Sequence, residues 1–434
     1  MSFHSARPLI AQALMVCLLF SCATTNLPPI SAAGQAFEPT RDEARLWQES
    51  REEENKLLEK VSIYDDPLLE DYLLAIVGRL NPASMAANPL ISYRVRVIEE
   101  PTLNAFAYPH GSLYIHTGLL AQMENEDQLA TVLGHEMTHV ENRHMLRYQR
   151  SARNKQIGLF ALAVAGALWA ASESAHAASE GHYGRAARID VLSDLLIGLG
   201  LQLAFIAAVN GYGRELEREA DEGGFAKMLD GGYDTRQAEK VYEKLAEETA
   251  RSSKLEAFFF GSHPRIEERI VSARQWGRAH PATEPGTTEA GLSTFEKRLR
   301  PVIRDDAALN LALGRLGRAE EELRRALAME PRDPRTLTLI GELKLAQAEQ
   351  TGGEEKADLE AAAQDALQQA IELDPRSPKP HRELGLLAYR RGDGAFACRE
   401  LRAYLDLSPA GAEDRTKIRD YVLELERDGL CESP

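Results

Sequence analysis

Residues Leu129–His144 read LATVLGHEMTHVENRH, and the fold and chemistry of the chain turn on this stretch. Inside it, His135-Glu136-Met137-Thr138-His139 sets an H-E-x-x-H pattern in an apolar run. Leu129, Val132, Leu133 and Val140 recur at helical spacing, with Asn125 as N-cap and Gln128 three residues on. At 3.6 residues per turn, His135 and His139 stand one above the other on a single face. Two imidazoles so placed can grip one Zn²⁺, while Glu136 points at the adjacent water position as a general base. Histidine fills only 11 of 434 positions, so a chance match anywhere in the chain is on the order of one or two per cent. The bland alternative is a surface helix with two solvated histidines.

A catalytic zinc takes three protein ligands and leaves one position for water. The best source of the third is Tyr212–Gly223, YGRELEREADEG, where Glu217 and Asp221 fall at i and i+4 on one helical face. Glu217 is the expected ligand. Asp221, one turn on, is the expected acceptor that holds a ligand imidazole by its other N–H. Glu215 and Glu219 read as solvated charges.

Upstream, Thr40 can cap a helix through about Lys60, and Pro67–Leu80 reads as a second, amphipathic one. Ile91–Ile98, ISYRVRVI, alternates as a half-buried strand. Asn104–Gly111, NAFAYPHG, reads as a turn, Ser112–His116 as a further strand, and Gly118-Leu119-Leu120 opens a short helix. A small sheet therefore precedes the metal helix. Its edge at Asn104, Ala105, Phe106 and Ala107 is where an extended substrate would pair through its backbone.

Four segments follow in one order: NAFAYPHG, LATVLGHEMTHVENRH, Glu217-Arg-Glu-Ala-Asp221, and His263-Pro264 with Arg269-Ile270. Together they resemble the HtpX-like zinc metallopeptidases, the group that includes the CAAX prenyl proteases. Within that group they resemble the soluble periplasmic BepA-like members, which join the protease to tetratricopeptide repeats. The resemblance covers about residues 60–275, and more loosely the repeats to 430. It implies His135, His139 and Glu217 as ligands of one zinc per chain and Glu136 as catalytic base. It also implies a role in the quality control or assembly of outer-membrane proteins. His263 has three readings: a fourth ligand that keeps the enzyme latent, as the resemblance suggests, an oxyanion stabiliser, or a cap for the helix near Pro264. The sequence departs from the pattern at Gln128, where many relatives carry Glu, and at Gly213, where Ser is frequent. The stretch between His139 and Glu217 is also longer, mostly through 172–188.

The formal net charge is −16, and Arg7 is the only charged residue among the first 21. So acidic a chain, without a basic block or a Gly-rich phosphate loop, argues against nucleic acid or anionic lipid surfaces as partners. Arg7 precedes the apolar run Leu9–Phe20, too short to span a bilayer as a permanent helix. Leu19-Phe20-Ser21-Cys22 resembles a bacterial lipobox, which implies cleavage before Cys22 and a lipid anchor there. Ala23 follows, not the aspartate of inner-membrane retention, so the expected site is the periplasmic face of the outer membrane. Cys398 and Cys431 then remain, and an oxidising compartment permits a disulfide between them without fixing its geometry. The apolar stretches 157–171 and 189–209 read as core helices or a hydrophobic hairpin, because the second carries Asp190, Asp194 and Gln202. His176 and His182 lie between them in a polar loop and are assigned no metal.

The chain beyond Phe295 is helical and repetitive. Three segments end alike at Pro331, Pro375 and Pro409, the last two 34 residues apart, which is the tetratricopeptide period. The first two are 44 apart through an insertion around Thr351–Glu360. Gly341 and Gly385 fall where the repeat's first helix needs a small residue. Ala319, Ala363 and Ala397 fill the small position of the second, with Leu323, Leu367 and Leu401 four residues on. A helix at Asp414–Arg427 closes the array, whose concave face would dock a partner protein.

The expected fold is an α+β zincin-type metallopeptidase domain, mostly helical with a small sheet, followed by an all-α tetratricopeptide-like solenoid. The expected divisions are a lipoprotein signal peptide (1–21), a flexible tether (22–40), the zinc domain (41–276), a linker (277–294) and the repeats (295–430). The expected function is a zinc endopeptidase of the cell envelope acting on misfolded or stalled proteins. The rivals are a chaperone or assembly scaffold with a latent or structural metal, and an integral-membrane prenyl-type protease.

Overall fold

The structure, a computed structural model, describes residues 25–152, 212–251, 266–280 and 289–431. Residues 1–24 with Cys22, the stretches 157–171 and 189–209, the loop 172–188 with His176 and His182, and His263 all lie outside the described residues. Among the described residues no helix is long and apolar enough to cross a membrane.

Among the described residues three strands form one sheet in the order β1-β3-β2: β1 is Arg94–Ile98, β2 Ala105–Ala107 and β3 Ser112–His116. β1 runs parallel to β3 and β2 antiparallel to it, with Phe106 opposite Tyr114. The sequence reading took 104–111 as a turn while placing a substrate-pairing edge strand at Asn104–Ala107; Ala105–Ala107 is a strand, and only Tyr108–Gly111 turns. Three residues are too few for alternation to show, and all three are buried. Phe106 stacks on Tyr114 with centroids 5.2 Å apart, a cross-strand pair that fixes the register. Gly111 closes the turn at φ +100°, and a Cβ there would lie 2.9 Å from the Ser92 carbonyl oxygen, so only glycine fits.

Helices α1 (Arg41–Leu58) and α2 (Pro67–Leu80) fall where capping and periodicity placed them. Asp66 caps α2 by accepting from the amides of Leu68 and Leu69. A short helix α3 (Thr117–Gln122) follows β3, then α4 (Glu126–Glu141), which holds the H-E-x-x-H pattern. Asn125 accepts from the Gln128 amide at 3.0 Å, and the Gln128 side chain turns back to the Glu124 amide. Another helix begins at 144 and is described to 152; it is α5. Then come α6 (Arg214–Asp230), α7 (Gln237–Arg251) and α8 (Ile266–Ala279).

The rest is helical: α9 (Glu289–Ala312), α10 (Leu316–Met329), α11 (Pro334–Glu349), α12 (Gly353–Leu373), α13 (Pro378–Arg391), α14 (Gly394–Leu407) and α15 (Arg415–Arg427). Gly341 and Gly385 sit where α11 meets α12 and α13 meets α14. A Cβ at either would lie 2.5 Å from Leu367 or Leu401 respectively. Ala319, Ala363 and Ala397 are fully buried beside Leu323, Leu367 and Leu401. Cys398 and Cys431 form a disulfide that ties α14 to the segment after α15.

Contacts divide the chain into two compact units. One holds Met1–Ile98, Thr102–His116 and Met123–Gly291; the other holds Glu99–Pro101, Thr117–Gln122 and Leu292–Pro434. The sequence reading had drawn a continuous first domain. The short segments go with the C-terminal helices because their polar groups are satisfied there. The Thr117 hydroxyl donates to Asp306 at 2.6 Å, Gln122 donates to Glu322 at 3.4 Å, and Arg325 donates to the Ala121 carbonyl. Asn310 joins the two acids, donating to each at 3.0 Å.

Burial raises the Asp306 and Glu322 carboxyls well above the carboxylate range; nearby acids add to it, Glu100 at Asp306 and Asp306 at Glu322, while Arg318 opposes at Glu322. Their unfolded values are ordinary, so this contribution is full in the acid range and is lost as pH rises toward neutrality. The thermal midpoint of the full chain should therefore fall by on the order of 5 °C between about pH 5 and pH 8. Glu322→Gln should flatten that slope, and a slope equal in variant and wild type would contradict the assignment.

Candidate metal centre

Two helices build the site by crossing in backbone contact. A Cβ at Gly224 on α6 would lie 3.0 Å from the His135 amide nitrogen and 3.2 Å from the Gly134 carbonyl carbon on α4. Thr138 fills the space over Gly223, and Thr131 meets Met228. Lys227 and Glu141, both buried, pair between the same helices. Because backbone atoms cannot yield as side chains do, any side chain at 224 must spread the helices. Gly224→Val is expected to cost about 1–3 kcal/mol and to weaken metal binding by at least tenfold, read by thermal denaturation and chelator competition. Unchanged metal affinity would show that the close approach does not set the site.

This crossing brings three side chains to one point. Nε2 of His135 and Nε2 of His139 are 3.0 Å apart, and the Glu217 oxygens stand 3.4 Å from the first and 3.8 Å from the second. All three side chains are buried, and their ligand atoms lie within 4.8 Å of one another. Donor atoms around a tetrahedral zinc with bonds of 2.0–2.1 Å are about 3.3 Å apart, so the donor set and its spacing fit that ion. The Tyr212 amide donates to Glu217 at 2.7 Å and holds the carboxylate in place.

Asp221 sits where the sequence put it. Its Oδ1 lies 2.8 Å from Nδ1 of His135, so that nitrogen carries a proton and Nε2 is turned toward the site. Arg269 on α8 grips Asp221 with two bonds of 2.7 and 2.9 Å, and Tyr242 on α7 donates to it at 2.7 Å. Burial would raise the Asp221 carboxyl, but the Arg269 charge and the His135 bond outweigh it and hold it down at about 2.

Glu136 is buried on α4 between the two histidines in sequence. Tyr212 lies 4.6 Å from the His139 ring, and its phenol is raised first by burial and then by the charges of Glu136 and Glu217. Glu136 follows the donor His135 directly on α4. On the neighbouring sheet, β2 is an edge strand that packs against α4. The side-chain amide nitrogen of Asn104 is buried there without a partner.

Reading Glu219 as solvated was wrong. It is half-buried, receives Arg147 at 2.9 Å and lies 3.4 Å from His144, whose ring contacts His139. Hydrogen bonds from His144 and Arg147 hold its carboxyl down at about 2. The sequence also gave no role to Tyr212, Tyr242 or His144. His144 lies in the same stretch as the motif, but no spacing rule connects a residue beyond the helix end to the ligands.

Residues 67–277 match the family model of Peptidase family M48. The beta-barrel assembly-enhancing protease of Escherichia coli (strain K12) is 29% identical over 216 residues, 49% of this chain and 39% of that protein. The mitochondrial metalloendopeptidase OMA1 of Schizosaccharomyces pombe is 27% identical over 232 residues, 52% of this chain and 60% of that one. The OMA1 of Arabidopsis thaliana is 30% identical over 155 residues, 36% of this chain and 26% of that one. The chain spans about two fifths of the length of the bacterial relatives it matches.

Proposed function

We propose that the chain, whose residues 67–277 match peptidase family M48, is a zinc-dependent endopeptidase of the bacterial cell envelope that degrades misfolded or stalled outer-membrane proteins. The observation that carries this reading is the convergence of two imidazole Nε2 atoms and a carboxylate, with a buried glutamate next to His135 in the same helix. Similarity to beta-barrel assembly-enhancing proteases supports the substrate class, and the lipobox-like Leu19–Cys22 supports a place on the periplasmic face of the outer membrane.

His135, His139 and Glu217 would hold the zinc, with Asp221 orienting His135. When bound, zinc supplies a Lewis acid that lowers the pKa of a water and polarises the scissile carbonyl. Glu136 takes the proton of the attacking water on its carboxylate and hands it to the leaving amine. The edge of β2, at Asn104–Ala107, offers backbone groups to an extended substrate. Recognition through the backbone selects unfolded chains, because a folded barrel has already paired its strands. The helices from α9 onward, with small residues at the tight positions of successive pairs, support a tetratricopeptide-like array that docks a partner of the assembly machinery.

The test uses the zinc-loaded chain and one outer-membrane barrel protein in two states, diluted from urea and folded in detergent. Cleavage of the unfolded state alone is expected. Equal cleavage of both, or none of the unfolded barrel when casein is cut, would overturn the substrate reading.

A further inference from the structure

Nδ1 of His139 and Nδ1 of His144 are 2.8 Å apart, so one of them must donate and the other accept. On its far side, Nε2 of His144 lies 3.4 Å from Oε2 of Glu219, which Arg147 grips with both terminal nitrogens. An ionised carboxylate only accepts, so the His144 proton sits on Nε2 and its Nδ1 is bare. His139 then donates from Nδ1, and its Nε2 is left unprotonated facing Nε2 of His135. The His135 ring is fixed the same way by Asp221. Both Nε2 atoms are thereby turned toward the space they share with the Glu217 carboxylate, where a metal ion would take their lone pairs.

The backbone is shaped for this contact. In a continuous helix His144, five residues after His139, would point about 140° away from it. Instead α4 ends at Glu141, and Arg143 takes a left-handed conformation at φ 58°, rare for a residue with a side chain. A buried fork from Arg143 to Glu43 holds that turn, and α5 starts with His144 turned back onto His139. His144 is fully buried.

We propose that His144 is a positioning residue that sets the tautomer and orientation of the ligand His139, its own proton being fixed by Glu219 and Arg147. This deepens the zinc reading above and rests on it. Such partners of ligand histidines change metal affinity by about 10–100-fold when removed.

The test is zinc affinity by chelator competition, with thermal midpoints alongside, for the wild type, His144→Phe, His144→Asn and Glu219→Ala. The Phe variant keeps the volume without the acceptor and should lose 10–100-fold in affinity. The Asn variant, whose amide oxygen reaches the place of Nδ1, should recover most of the loss. Glu219→Ala, at a half-exposed position that folding should tolerate, should lose several-fold. ¹⁵N–¹H correlation on the zinc-loaded wild type should show His139 protonated at Nδ1 and His144 at Nε2. Equal affinity in the wild type and His144→Phe, equal losses in the Phe and Asn variants, or the opposite tautomers would overturn the proposal. Absence of zinc binding by the wild type would instead overturn the site itself, and this role with it.

Discussion

Glu136→Gln should lower cleavage of an unfolded protein by on the order of 10³-fold while leaving zinc bound at one per chain. The substitution keeps size and hydrogen bonding and removes only the ability to take a proton. Glu136 is not among the three converging donors, so its loss does not empty the site. It is buried and directly follows the donor His135 on α4. A carboxylate in that place has one task in this chemistry, to move a proton between water and leaving amine. Cleavage and metal content measured on the same preparation separate the two effects. Full cleavage by the variant would remove Glu136 from the mechanism, and loss of zinc would make it a ligand.

The second large effect is expected at Asp221, because one carboxylate serves both stability and the site. Its Oδ1 and Oδ2 satisfy Arg269, Tyr242 and His135, all buried. Asp221→Ala leaves the Arg269 guanidinium buried without its counter-charge, a loss of about 3–5 kcal/mol. It also frees His135 to flip or to carry its proton on Nε2, which should weaken zinc by about 10–100-fold. Asp221→Asn keeps an acceptor for His135 but not the charge, so it should fall between the two. Denaturant unfolding and chelator competition read the two losses separately. If Asp221→Ala unfolds like the wild type, the buried pair is not what holds α8 to α6.

The convergence of His135, His139 and Glu217 was legible because its information is local. Spacing of i to i+4 on one helix places His135 under His139, and the same spacing on a second helix offers Glu217 with Asp221. What joins the helices is not local. The contact of Gly134 with Gly224 is written as two ordinary small residues on separate helices, and only their packing shows that a Cβ would force them apart. Glu219 read as solvated because nothing in its own helix reveals Arg147 and His144 opposite. Strand β2 was read as an edge at Asn104–Ala107, but its pairing was not: three residues carry no period, and its partner β3 is a tertiary fact. In the C-terminal helices the small positions at Gly341 and Gly385 were readable from the repeat. The departure of Thr117–Gln122 to that unit was not, since it depends on buried acids some two hundred residues away.

The central claim is that the converging donors hold one catalytic zinc. The most direct measurement is casein cleavage by the chain as purified, after removal of metal by a chelator, and after stepwise return of zinc. The account predicts cleavage that disappears with the metal and is restored in proportion to zinc up to one per chain. Cleavage that persists in metal-free protein, or a restored zinc that brings back none of the lost activity, would contradict it.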